Sequence, residues 1–290
     1  MVNPNDVKKL REMTGSGVLD CRNALEATNN DIDKAIDWLR ERGITKAANK
    51  AERIAAEGLC NIVINGNKAL ILELNSETDF VAKNAEFKAF LDKISNIIVN
   101  SAANNLEAAL VINTDEGSIN DLITNFTAKI GERINLRRLT VITKQDNELF
   151  GSYLHMGGKI AVLTLIEGSN EEVAKDVAMQ AAAMNFKAIR REELSQEEIE
   201  HERGILREQA LNEGKPADIV EKMLDGRMNK FYKEVCLEEQ VFIKNNDITI
   251  KQYTDSFNCK IKQVIRYEVG EGVEKRQDNF AEEVMNQIKN

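Results

Sequence analysis

The chain is short of nearly everything that chemistry usually requires. It has two histidines and four cysteines in 290 residues, and Cys21, Cys60, Cys236 and Cys259 include no C-x-x-C pair. Neither a zinc site nor a disulfide framework is indicated, so each cysteine is expected to be a small buried hydrophobe in a reducing, cytoplasmic setting. No apolar run approaches the ~20 residues of a membrane span, and no charged-then-apolar leader opens the sequence. A net charge of −9 argues against general binding to a phosphate backbone, which draws its affinity from clustered Lys and Arg.

Familiar catalytic signatures fail one by one. Gly158-Lys159 is no phosphate loop, because Tyr153 stands at the first glycine position and Ile160 where Ser or Thr is needed. Gly15 and Gly17 follow a helix rather than a strand, so they are no dinucleotide fingerprint. His155 sits at a hairpin turn with no nucleophile or carboxylate placed by sequence to use it. Most of the many Asp and Glu lie on helix faces, where they read as solvation and not as paired acid/base groups. No cofactor, no metal and no enzymatic site is expected.

What remains is a soluble α+β chain, 42% apolar and 30% charged, long enough for about two domains. Residues 5–42 read as three short helices. The first carries Val7 and Leu10 and stops at Thr14-Gly15-Ser16-Gly17; the second carries Leu19, Ala24 and Leu25; the third carries Ile32, Ala35, Ile36 and Leu39 and is expected to stop at Gly43. This sets a module at 1–43 and an Ala-rich helical linker at 44–57.

An internal repeat follows. Setting Val81-Ala82-Lys83 on Val173-Ala174-Lys175, an offset of 92, aligns Leu70 with Val162, Leu74 with Ile166 and Phe87 with Met179. Each copy reads as a hairpin, an amphipathic helix and a closing β stretch, beginning at Ile134 in one and Ile261 in the other. Subdomains are expected at 58–145 and at 146–186 with 231–269, each a small antiparallel sheet covered by helices. A charged helical hairpin is inserted at 187–230, broken at Gly214-Lys215-Pro216, and a C-terminal module with Phe280, Ala281, Val284 and Ile288 on one face occupies 270–290.

The chemistry of interest gathers at the strand-to-helix corner Ser76-Glu77-Thr78-Asp79-Phe80-Val81. Ser76, Thr78 and Asp79 are residue types that cap a helix. Phe80 is expected in the first turn of the helix that ends near Asn100, either packed inward as a staple or presented outward. The second copy has Asn170-Glu171-Glu172 there, so the fold itself does not demand an aromatic ring.

Leu10-Arg11-Glu12-Met13-Thr14-Gly15-Ser16-Gly17, Asp20-Cys21 and Thr78-Asp79-Phe80-Val81-Ala82-Lys83-Asn84 give the chain its resemblance to the elongation factor Ts family, nucleotide-exchange factors for the GTPase elongation factor Tu. Gly151-Ser152-Tyr153-Leu154-His155, Gly214-Lys215-Pro216 and Arg266-Tyr267-Glu268-Val269-Gly270-Glu271-Gly272 extend it along nearly the whole chain. The resemblance implies a module like a ubiquitin-associated domain at 1–43, a two-part core and an inserted coiled coil able to serve as a homodimer contact. It implies that Thr78, Asp79, Phe80 and Val81 displace magnesium from the partner GTPase, with Phe80 as the inserted ring. It further implies that Leu10, Arg11, Met13, Thr14, Gly15, Gly17 and His155 contact that partner. Met184-Asn185-Phe186-Lys187 and Gln240-Val241-Phe242 depart from the family by lacking a proline. The alternative is a protein-binding adaptor whose N-terminal module docks partners without exchange activity.

Overall fold

A computed structural model describes residues 2–14, 16–48, 50–214 and 216–273. Helices and small sheets alternate in an α+β architecture, as expected from the sequence. The chain divides into two compact units: Met1–Asn61 with Leu72–Val141 and the stretch from Glu268, and Ile62–Ile71 with Ile142–Tyr267.

In the first unit, α1 (Pro4–Thr14), α2 (Val18–Ala27) and α3 (Ile32–Ala48) enclose Leu10, Cys21, Ala24, Leu25 and Ala35, all fully buried. Gly43 does not stop α3. The helix runs through it to Ala48, because that glycine faces another helix: a Cβ there would lie 3.3 Å from the Cβ of Ala128. The absent side chain lets α3 lie against the later helix, and Ala and Lys beyond it favour continuation. Leu19, expected within the apolar stripe, instead stands 68% exposed.

The first copy of the repeat follows as β1 (Glu57–Asn65), β2 (Lys68–Ser76), α4 (Asp79–Lys83), α5 (Ala85–Val99), α6 (Leu106–Leu110), β3 (Asn113–Thr114), β4 (Gly117–Ser118), α7 (Ile119–Ile130) and β5 (Asn135–Thr143). Strand order is β1-β2-β5, with β2 central and buried along most of its length. Asn61 of β1 donates its amide to Asp92 and Ser95, tying α5 to the strand. Phe87 of α5 is fully buried, 6.5 Å from the Phe126 ring of α7.

Glu73 is a buried carboxylate in this sheet. It accepts from the Gly270 N–H at 2.8 Å, Asn75 Nδ2 at 3.0 Å, Arg137 Nη1 at 3.1 Å and Arg138 Nε at 2.6 Å. Burial alone would push its pKa up; the Gly270 and Asn75 hydrogen bonds with the Arg138 charge outweigh it and hold the carboxyl below its ordinary range.

The second unit holds β6 (Glu148–His155), β7 (Ile160–Glu167), α8 (Glu171–Ala183), α9 (Gln196–Asn212), α10 (Ala217–Val235), β8 (Val241–Phe242), β9 (Asn245–Thr249), α11 (Ile250–Ser256) and β10 (Lys260–Glu268). Its sheet is ordered β10-β7-β6 with β7 central, the same arrangement as β5-β2-β1. The β6–β7 hairpin is antiparallel, with Glu148 opposite Glu167 and His155 opposite Ile160. Val162, Ile166, Val173, Val177, Ala181 and Ile261 form the centre of its core.

Helices α9 and α10 make the inserted hairpin. It buries a narrow seam of its own: Ala210, Val220 and Leu224 with Leu206 toward the tip, and Leu194, Met228, Phe231 and Cys236 at the base. Leu211 and Ile219, although apolar, are 40% and 44% exposed, one position off the contact face made by Ala210 and Val220. Of the C-terminal module, residues 274–290 lie outside the described residues.

Candidate functional site

The corner that follows β2 is built from short, local bonds. Thr78 is extended (φ −124°, ψ 157°) and caps α4, its Oγ1 accepting from the Val81 N–H at 3.4 Å. Asp79, expected among the capping residues, is instead the first helical residue. There its charge suits the positive end of the helix and pairs with Lys83 at 2.5 Å, raising the lysine pKa by the hydrogen bond. The helix ends after five residues because Asn84 turns extended (ψ 139°), and the Asn84 side chain accepts from the Glu86 N–H at 2.8 Å to start α5. Phe80 therefore belongs to a one-turn helix of its own and not to α5.

That geometry settles where the ring points. Successive helical residues are ~100° apart, so two positions apart lie on opposite sides. Ala82 is the buried residue of α4, at 1% exposure. Phe80, two positions earlier, is 81% exposed. The inward staple is excluded.

Residues far along the chain hold this corner. Thr78 donates its N–H to Glu132 Oε2 at 3.0 Å and its hydroxyl to Glu132 Oε1 at 2.7 Å. In return the Arg133 N–H donates to Glu77 Oε1 at 2.6 Å, and Arg53 reaches the same carboxylate at 3.4 Å. Ser76 Oγ donates to the Thr78 carbonyl at 2.9 Å. Glu132 and Arg133 are invisible in the sequence pattern, because isolated charges between elements carry no periodic signal, and Glu77 lies inside the corner motif with nothing there to show its partner.

At the N-terminal loop, Met13 is 56% exposed beside Val18 at 54% and Leu19 at 68%. Arg11 and Gly17 are exposed with them, and Thr14 is half-buried. The Thr14 hydroxyl donates to the Leu10 carbonyl at 2.8 Å and accepts from the Ser16 N–H at 3.3 Å. Leu10 departs from the expectation of a contact residue: its side chain fills the bundle core and supports the loop from beneath. Gly15 lies outside the described residues. Val18 and Leu19 join the apolar lip, although helical spacing alone had put Leu19 inside.

His155, in the second unit, ends β6 half-buried, its ring 6.1 Å from that of Tyr153. Leu154 and Met156 flank it at 44% and 72% exposure.

The family model for elongation factor Ts matches residues 77–271, beginning at the corner just described. Elongation factor Ts of Limosilactobacillus fermentum is 52% identical over 287 residues, 99% of this chain and 98% of its own length. Elongation factor Ts of Limosilactobacillus reuteri (strain DSM 20016) is 51% identical over 282 residues, 97% of each chain. The chain belongs to the elongation factor Ts family. Membership carries the classes of translation elongation and nucleotide exchange with it. The family model starts beyond the N-terminal helices, whereas the similarity to the two relatives takes in nearly the full length.

Among the described residues, no group of three or more His, Cys, Asp or Glu is placed to hold a metal ion. No helix among them is long and apolar enough to cross a membrane.

Proposed function

We propose that this chain promotes release of GDP from elongation factor Tu by inserting Phe80 into the GTPase and displacing its magnesium, so that GTP can rebind. The observation that carries the reading is the Phe80 ring, 81% exposed at the head of a corner pinned by two carboxylates. A large apolar ring held in water by so many bonds is suited to burial in a partner. An exchange factor works by binding the nucleotide-free GTPase better than the loaded one, and the coupling is reciprocal. Burying a Phe contributes roughly 1.5–3 kcal/mol, and each ~1.4 kcal/mol is about tenfold. Thr78, Asp79 and Val81 shape the segment around the ring. Arg11, Met13, Thr14, Gly15 and Gly17 of the N-terminal loop, and His155 with its exposed neighbours, supply docking contacts. The chain needs no cofactor for this, because the nucleotide and metal are the partner's.

The test is Phe80→Ala in an assay of labelled GDP leaving elongation factor Tu. Release slows about ten- to a hundredfold if the burial acts on the rate-limiting state, while the melting temperature is unchanged. Normal release by a folded Phe80→Ala chain would overturn the reading. Should the wild-type chain bind elongation factor Tu without accelerating release, the adaptor reading would replace it.

A further inference from the structure

We infer that Glu132 is a positioning residue for exchange: its carboxylate grips Thr78 by both backbone N–H and hydroxyl, and this grip presents the Phe80 ring. The inference rests on the proposed role of Phe80.

A five-residue helix has little stability of its own, since one turn fixes several dihedrals for few hydrogen bonds. Its internal backbone bonds include Ala82 N–H to Thr78 carbonyl at 3.3 Å and Asn84 N–H to Val81 carbonyl at 3.0 Å. The exposed ring contributes no anchorage, and Ala82 is the buried side chain of the helix. The bonds from outside are stronger, being made to an ionised acceptor. They are also reciprocal: Glu132 takes both donors of Thr78, while neighbouring Glu77 takes the N–H of Arg133. Two adjacent pairs, 77–78 and 132–133, thus exchange hydrogen bonds.

The duplicated copy shows that closing the fold does not call for this device. With β10 set on β5 so that buried Ile261 and Tyr267 match buried Leu136 and Ile142, Phe257 falls at the place of Glu132; with the first alignment, Asn170 falls at Thr78 and Glu172 at Phe80. Phe257 brings no carboxylate to that corner, and close packing takes its place: a Cβ on Gly168 would lie 2.7 Å from the Cys259 sulfur. The helix starts at once and runs 13 residues from its Asn170 cap. Latch and exposed ring are present together in one copy and missing together in the other. That joint occurrence is the reason to assign the latch to the ring and not to the fold.

The experiment is a double-mutant cycle on the full chain with elongation factor Tu and labelled GDP. Glu132→Ala is expected to lower the maximal release rate about tenfold while the half-saturating concentration moves less than about twofold, since the docking surfaces are untouched. Glu132→Gln recovers part of the rate, because its carbonyl oxygen still accepts one of the two bonds. In a Phe80→Ala chain, Glu132→Ala has no further effect. Equal slowing with and without the Phe80 ring overturns the inference, as does a normal maximal rate for Glu132→Ala where Phe80→Ala is slow. A normal rate for Phe80→Ala sinks the role of the ring itself, and the assignment of Glu132 with it. If Glu132→Ala fails to fold, Glu132→Gln carries the same cycle: a slowing that persists unchanged in the Phe80→Ala chain rejects positioning, and one that disappears there supports it.

Discussion

Where β7 passes into α8, the Asn170 side chain accepts from the Glu172 and Val173 N–H groups and the helix continues unbroken. Where β2 leaves the first sheet, the equivalent path is cut after five residues by Asn84, which caps a second helix. The residue aligned with Asn84 is Asp176, buried at 3% exposure and bonded to Lys244 at 2.6 Å and Tyr253 at 2.8 Å. One copy uses this position to pin its helix to the segment ahead of β10; the other uses it to start a new helix and leave the preceding turn pointing at solvent. The shared strand order shows what the repeat requires, a hairpin, a covering helix and a third strand beside the second. The bent turn, the two carboxylates and the exposed ring are additions to that plan in a single copy.

The sharpest test of the comparison lies within the first copy, between its two neighbouring phenylalanines. Phe87→Ala empties a fully buried site beside Phe126 and is expected to lower unfolding stability by about 3–5 kcal/mol in urea titration. Phe80→Ala should barely shift the same curve. Equal losses would mean that the ring of Phe80 supports the core after all.

A smaller effect is expected from making the first corner resemble the second. Asn84→Ala removes the cap of α5 and should cost about 1 kcal/mol. It also removes the break, so α4 drifts toward continuity with α5 and GDP release by elongation factor Tu slows severalfold. A destabilised variant that still drives release at the full rate would show that the break does not matter for presenting the ring.

The smallest change comes from the converse substitution. Glu172→Phe places a ring at the exposed second corner, and stability should stay within about 0.5 kcal/mol, as for most surface positions. Combined with Phe80→Ala it should restore no exchange, because that corner lacks the latched turn. Restoration would erase the functional difference between the copies.

The sequence by itself determined the parts whose causes are local. The hairpins, α5, the paired helices α9 and α10, and the duplication itself are written in apolar spacing and turn residues, which act between neighbours a few positions apart. The motif from Thr78 to Asn84 pointed to the family before any fold was known, and the Asn84 break was legible only afterwards, since Asn reads equally as a surface residue or a cap. Tertiary structure decided the rest. Gly43 reads as a helix stop until α7 is there to need its missing side chain. Leu10 and Leu19 both look apolar and periodic, yet burial falls on the first and exposure on the second. Glu132 is one acidic residue among many until the closing of the chain brings it to Thr78, 54 positions away, and Glu73 finds the Gly270 N–H across 197. Periodicity reports what a residue does to its own helix or strand; the partner of a lone charge is set by which distant backbone the fold delivers to it.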